Sequence, residues 1–184
     1  WLGEGVAPET KNAIKQSIER IRSAGGIVEQ VSLPSLPLSL AAYYIIVPAE
    51  ISSNLSRYDG QRYGYSDSEA GDLETSYLHS RSKGFGDEAK RRIMIGTYVL
   101  SSGYYDAYYQ RAQVVRTKLI QEFKEALSQY DFLIGPTAPT PAFKVGENTA
   151  DPLQMYLADA MTVGPSLAGL PAVSVPCTVD GLPV

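Results

Sequence analysis

The sequence predicts an α/β fold. Three observations carry that reading. An amphipathic helix beginning at Pro8 runs into Gly25-Gly26 and then into the Val- and Ile-rich stretch Ile27–Leu33. A second helix, through Ala112 and Ala126, is followed by the short apolar run Asp131-Phe132-Leu133-Ile134-Gly135. Near the other end, Leu167-Ala168-Gly169-Leu170-Pro171 leads into the β-branched run Ala172-Val173-Ser174-Val175-Pro176.

Taken in order, Pro8 suits the first turn of a helix. Ala13, Ile14, Ser17, Ile18, Ile21 and Ala24 fall on one face at helical spacing. Gly25-Gly26 stops that helix, and a strand is expected over 27–33. Pro34 and Pro37 mark a turn. Leu38 to Ser56 reads as a mostly apolar helix that Pro48 should kink or divide, with Tyr43-Tyr44 facing core or pocket. Residues 57–86 are rich in Gly, Ser, Asp and Tyr and read as a long loop around one helix, about 69–82, with Ser66-x-x-Glu69 as a candidate capping box. Asp87 is the expected N-cap of a helix carrying Arg91-Arg92 and ending near Ser101-Ser102-Gly103.

The next helix is marked by Ala112, Val115, Leu119, Phe123 and Ala126 at three- and four-residue steps. A buried strand over 131–135 follows and stops at Pro136, and the prolines of Thr137–Pro141 keep that stretch extended. Asp151-Pro152 opens a helix through Met161 that carries Asp159, and 172–176 is expected to be a buried strand.

Composition narrows the classes of function. With 44% hydrophobic and 20% charged residues, the 184-residue chain can bury a sizeable core. A net charge of −4 argues against general affinity for nucleic acid. The single cysteine, Cys177, cannot close an internal disulfide, and with the single histidine, His79, it cannot make a zinc site. No phosphate-binding glycine loop or metal-ligand cluster is evident. No apolar run is expected to span a membrane, and a reducing, cytoplasmic setting is the default.

Two candidate sites emerge. Gly164-Pro165-Ser166-Leu167-Ala168 has the outline of a nucleophile elbow but lacks the strand before and helix after the serine that such an elbow needs. Arg92, Asp159 and Tyr43 offer a bidentate cation, an anion and a polar aromatic. That is the set a free amino acid's carboxylate and ammonium require. Spacing leaves open whether they converge, and whether Arg91 or Arg92, Tyr43 or Tyr44, faces a ligand. Neighbours on a helix point about 100° apart, so one of each pair is expected to face it.

Several blocks occur in one order: Ala49–Gly60, Arg62-Tyr63-Gly64, Lys90–Tyr109, Gly135-Pro136-Thr137, Asp151-Pro152-Leu153 and Leu167–Pro171. With them the chain resembles the amidase signature family and, within it, the glutaminase subunits of bacterial-type glutamyl-tRNA(Gln) amidotransferases. The resemblance implies a mixed β-sheet covered by α-helices, with residues 1–184 as the C-terminal portion of one amidase-signature domain. It implies hydrolysis of glutamine by a Ser–cis-Ser–Lys triad and transfer of the ammonia to a partner B subunit. That partner uses ATP and Mg to amidate Glu-tRNA(Gln), while a small C subunit wraps the glutaminase; no cofactor is implied for the glutaminase itself.

The triad lysine and the Gly-Gly-Ser-Ser-type nucleophile block have no counterpart in this sequence. The chain alone is therefore expected to be inactive, with no catalytic residue of its own, and prone to associate through uncovered apolar faces. Carried over by motif, the glutamine-holding residues are Tyr43, Arg92 and Asp159. Two alternatives remain: a portion of another amidase acting on a small amide, and a non-catalytic scaffold that binds partner subunits.

Overall fold

The computed structural model of the chain describes residues 5–147 and 152–177. They fall into two compact units, one drawn from Trp1–Leu40 with Val115–Val184 and the other from Ala41–Val114. Among the described residues every regular element is helical.

In the first unit, α1 spans Pro8–Ser23 with proline in its first turn. Its end is a Schellman motif: Gly25, at φ +93°, donates to Arg22 O at 3.0 Å and Gly26 donates to Ile21 O at 2.9 Å. The left-handed backbone there explains the glycine. Helix α5, Arg111–Gln129, runs from the second unit into the first and buries Leu119, Phe123 and Ala126 there. Ser35 is tied to it, donating from Oγ to Glu122 at 2.6 Å and from its amide at 3.0 Å. The short helices α6 (Pro152–Leu157) and α7 (Val163–Ala168) flank a 3₁₀ turn over Ala158–Met161. Arg116 donates to Leu167 O at 2.9 Å, tying α7 to α5. Asp151, expected with Pro152 to open this helical stretch, lies outside the described residues.

In the second unit, α2 spans Ser39–Leu55, beginning two residues earlier in the first, and runs through Pro48 undivided. Helix α3 spans Leu73–Gly84, and its cap is Asp72, not Ser66: Asp72 accepts from the Thr75 amide at 2.9 Å and the Thr75 hydroxyl at 2.6 Å. Helix α4 spans Asp87–Leu100 with Gly86 at its N-cap, so Asp87 is its first helical residue, where its charge still faces the positive end of the helix dipole. A π-helical stretch, Tyr105–Gln110, precedes α5. Around it the exposed rings of Tyr98, Tyr104 and Tyr108 pack together, and the contact with Tyr104, followed by burial, pushes the Tyr98 hydroxyl up to about 12.

The sheet expected from the sequence is not formed among the described residues. Residues 27–33, 131–135 and 172–176 have no regular structure. Many of their apolar side chains are exposed, among them Ile27 at 89%, Phe132 at 83% and Val173 at 86%. A strand exists only through its ladder, because each N–H and C=O needs a partner on the next strand. β-Branched composition marks these segments as able to pair without providing that partner. The Leu36–Leu55 stretch, contrary to expectation, is long and apolar enough to cross a membrane by length and composition. In the second unit Ala42, Ile46 and Ala49 of this helix are buried, and α4 lies directly on Pro48.

That crossing is the tightest point of the unit. A β-carbon at Gly96 of α4 would stand 1.9 Å from the Pro48 carbonyl oxygen and 2.7 Å from Ser52 Cβ. Neither obstruction can move, one being backbone and the other the first atom of its side chain. Gly96→Ala should therefore destabilise the chain by about 1–3 kcal/mol. At this length that lowers the unfolding midpoint by roughly 2–4 °C per kcal/mol. Gly71→Ala, with no atom within 4 Å and a backbone outside the left-handed region, is the matched control. Thermal unfolding of the two variants side by side checks this, and equal midpoints would contradict it.

Candidate functional site

The arginine pair on α4 is divided by the helix. Arg91 is exposed, with 46% of its side chain accessible, whereas Arg92 is turned inward at 21%. Arg92 points to α2, where its guanidinium interacts with the Tyr43 hydroxyl and lies 5.7 Å from the centre of the Tyr44 ring. From helical geometry, one tyrosine of the pair was expected to face the site. Both meet the same guanidinium, Tyr43 through its hydroxyl and Tyr44 through its ring face. A tyrosine is long enough that adjacent positions can reach one point, and the two rings pack edge to face at 5.1 Å.

Glu88, one turn earlier on α4, completes the arrangement. Its Oε1 accepts from Arg92 Nε at 2.8 Å and its Oε2 accepts from Arg91 Nη1. Burial works to lower the Arg92 pKa, but Glu88 and then Tyr43 outweigh it, and the net shift is upward. Arg92 is thus a permanently charged, half-buried cation whose planar group is held at one edge. An exposed i,i+4 ion pair stabilises a helix by only about 0.3–0.5 kcal/mol, so stability alone is a small reason for this geometry. Beside it lies an open cavity of about 430 Å³, walled by Val47, Ile51 and Leu55 with Glu50, Glu88 and Arg92 as its charged groups. A fixed guanidinium at the edge of an apolar cavity is suited to receive a carboxylate.

The third expected residue, Asp159, belongs to the first unit. It is half-buried in the 3₁₀ turn, and its carbonyl accepts from the Thr162 amide and hydroxyl at 3.1 and 3.2 Å. The candidate elbow does not gain a nucleophile. Ser166 lies inside α7 and donates to Thr162 O at 3.0 Å.

The second unit also holds a cluster that the sequence motifs do not single out. Asp67, with 4% of its side chain exposed, accepts from Lys83 Nζ at 2.7 Å and faces His79 Nδ1 at 3.2 Å. Its amide donates to buried Ser80 Oγ at 2.8 Å. Spacing on α3, with His79 and Lys83 four apart, was the available signal. These groups carry no ligand signature, and among the described residues no group of acidic, His or Cys residues could hold a metal.

Comparison with known proteins now decides the family. Residues 2–184 match the family model described as Amidase. The chain belongs to the amidase family. It is 53% identical over 185 residues to the A subunit of the glutamyl-tRNA(Gln) amidotransferase of Geobacillus thermodenitrificans, covering 100% of this chain and 38% of that one. The corresponding protein of Symbiobacterium thermophilum is 54% identical over 184 residues, again 38% of its length. Among solved structures, the A subunit of the Thermotoga maritima glutamyl-tRNA(Gln) amidotransferase matches at a TM-score of 0.69 and 39% identity, covering 98% of this chain and 34% of that one. The chain thus spans little more than a third of the relatives it matches.

The Asp67 cluster generates a pH prediction. The Lys83 contact, and next the Glu69 amide, hold the Asp67 carboxyl below its usual 3.8. A carboxyl lowered on folding contributes stability that is fully present above its unfolded pKa. That contribution is lost as pH falls from about 3.8 through the folded value. Asp67→Asn should flatten this acid limb in unfolding measured against pH. An unaltered acid limb would contradict the assignment.

Proposed function

We propose that this amidase-family chain is the glutamine-recognising portion of the A subunit of a tRNA-dependent amidotransferase. The observation that carries the reading is the braced, inward-facing guanidinium of Arg92 beside Tyr43 and Tyr44. The names of the relatives support the substrate: each is the A subunit of a glutamyl-tRNA(Gln) amidotransferase. Glutamine presents an α-carboxylate, an α-ammonium and a side-chain amide. Arg92 binds the carboxylate through charge-assisted hydrogen bonds, with the Tyr43 hydroxyl beside it. Asp159 is assigned to the ammonium by family resemblance.

In this reading the chain binds and orients the amino-acid end, and the serine and lysine that break the amide bond lie in the remainder of the glutaminase. The ammonia released then passes to the B subunit, which with ATP and Mg amidates Glu-tRNA(Gln). The C subunit wraps the glutaminase, and the complex works in the cytoplasm. Both units of this chain are read as the C-terminal portion of one domain. Residues 27–33, 131–135 and 172–176 are its sheet-forming segments, and their exposed apolar side chains suit pairing in the complete protein.

Removing a carboxylate receptor weakens binding of the amino acid without touching the bond-breaking groups. In the full-length protein within its complex, Arg92→Ala should raise the glutamine KM about 10- to 150-fold, the equivalent of about 1.5–3 kcal/mol for a hydrogen bond to a charged group. Glutaminase kinetics measure it directly. An unchanged KM would reject the assignment of Arg92 and leave the reading as an amidase for another small amide.

A further inference from the structure

We infer that Glu88 is the positioning residue of the carboxylate receptor, holding Arg92 in register by bridging both arginines of the pair; the inference rests on the reading of Arg92 given under Proposed function. One carboxylate serves two cations: Oε1 takes Arg92 Nε–H at 2.8 Å while Oε2 takes Arg91 Nη1. The contacts follow helical geometry, since residues three and four apart share a face.

The consequence lies in which edge of the guanidinium is used. A guanidinium is planar and offers five N–H donors in a fixed fork. Glu88 engages the Nε edge, and the Tyr44 ring lies 5.7 Å from Cζ. An edge contact and a ring together fix the plane, so the Nη nitrogens present a fork of set direction to an incoming carboxylate. Arg91, drawn to the second oxygen, is kept on the solvent side, where 46% of it is accessible. Glu88 itself sits at the rim with 45% of its side chain accessible, so it acts on the half-buried Arg92 from outside.

The sign of the effect separates this role from a purely electrostatic one. A carboxylate near the receptor repels a bound α-carboxylate, so its charge alone predicts tighter glutamine binding when Glu88 is removed. Positioning predicts the reverse, because a freed guanidinium must be ordered again at each binding event.

The test uses the full-length protein in its complex and compares Glu88→Ala, Glu88→Gln and Arg92→Ala. Two compounds probe them: glutamine, and 4-aminobutyramide, which keeps the amide and amine and lacks the α-carboxylate. Glu88→Ala should raise the glutamine KM about three- to tenfold with kcat little changed. Glu88→Gln, which keeps an oxygen for the Nε–H, should show a smaller rise. The affinity for 4-aminobutyramide, read as substrate KM or as competitive inhibition, should be the same in wild type and both Glu88 variants. A fall or no change in glutamine KM for Glu88→Ala, an equal weakening of both compounds, or a matching loss of kcat in both Glu88 variants would overturn the positioning role. If Arg92→Ala itself leaves the glutamine KM unchanged, the receptor reading fails first. A rise for Arg92→Ala with none for Glu88→Ala overturns the role of Glu88 alone.

Discussion

The contact of Gly96 with Pro48 sets the candidate site. On α2, Tyr44, Pro48 and Ser52 recur every four residues; on α4, so do Glu88, Arg92 and Gly96. Because Gly96 lacks a side chain, α4 can lie against the Pro48 carbonyl, and Ser52 and Thr97 then meet through their hydroxyls at 2.9 Å. One turn away, the same close approach brings the Arg92 guanidinium to the two tyrosines. With a larger residue at 96 the helices would part and the cation would lose its aromatic wall.

Charge arrangement at the site follows from burial. An arginine drawn inward needs compensation, and α4 provides it locally through Glu88, with the Tyr43 hydroxyl beside it. The pairing lets a permanent cation sit at the edge of an apolar cavity without a carboxylate from outside. It also divides two adjacent arginines into an outer and an inner residue, a distinction that their order in the chain does not reveal.

The helices are legible in the sequence because their signals are local. The three- and four-residue steps of Ala112, Leu119, Phe123 and Ala126, and the Gly25-Gly26 stop, each act within a turn or two. Boundaries are harder to read where polar residues compete to cap: Asp72 wins over Ser66, and Gly86 over Asp87. The strands fail for a different reason. Val173 and Val175 mark a segment fit for a sheet, yet a sheet is a relation between segments, and the described residues supply no neighbour. At the site, the chemistry of Arg92 and Tyr43 is legible as a set. The involvement of Tyr44 and Glu88 is not, because it depends on how closely two helices cross.

A crystal structure of the full-length protein with glutamine bound tests the central claim most directly. It should show the α-carboxylate in hydrogen-bonding contact with the Nη nitrogens of Arg92, with Glu88 still on Nε and the tyrosine rings in place. Glutamine bound with its carboxylate on another cation, and Arg92 left solely to Glu88 and Tyr43, would contradict the account.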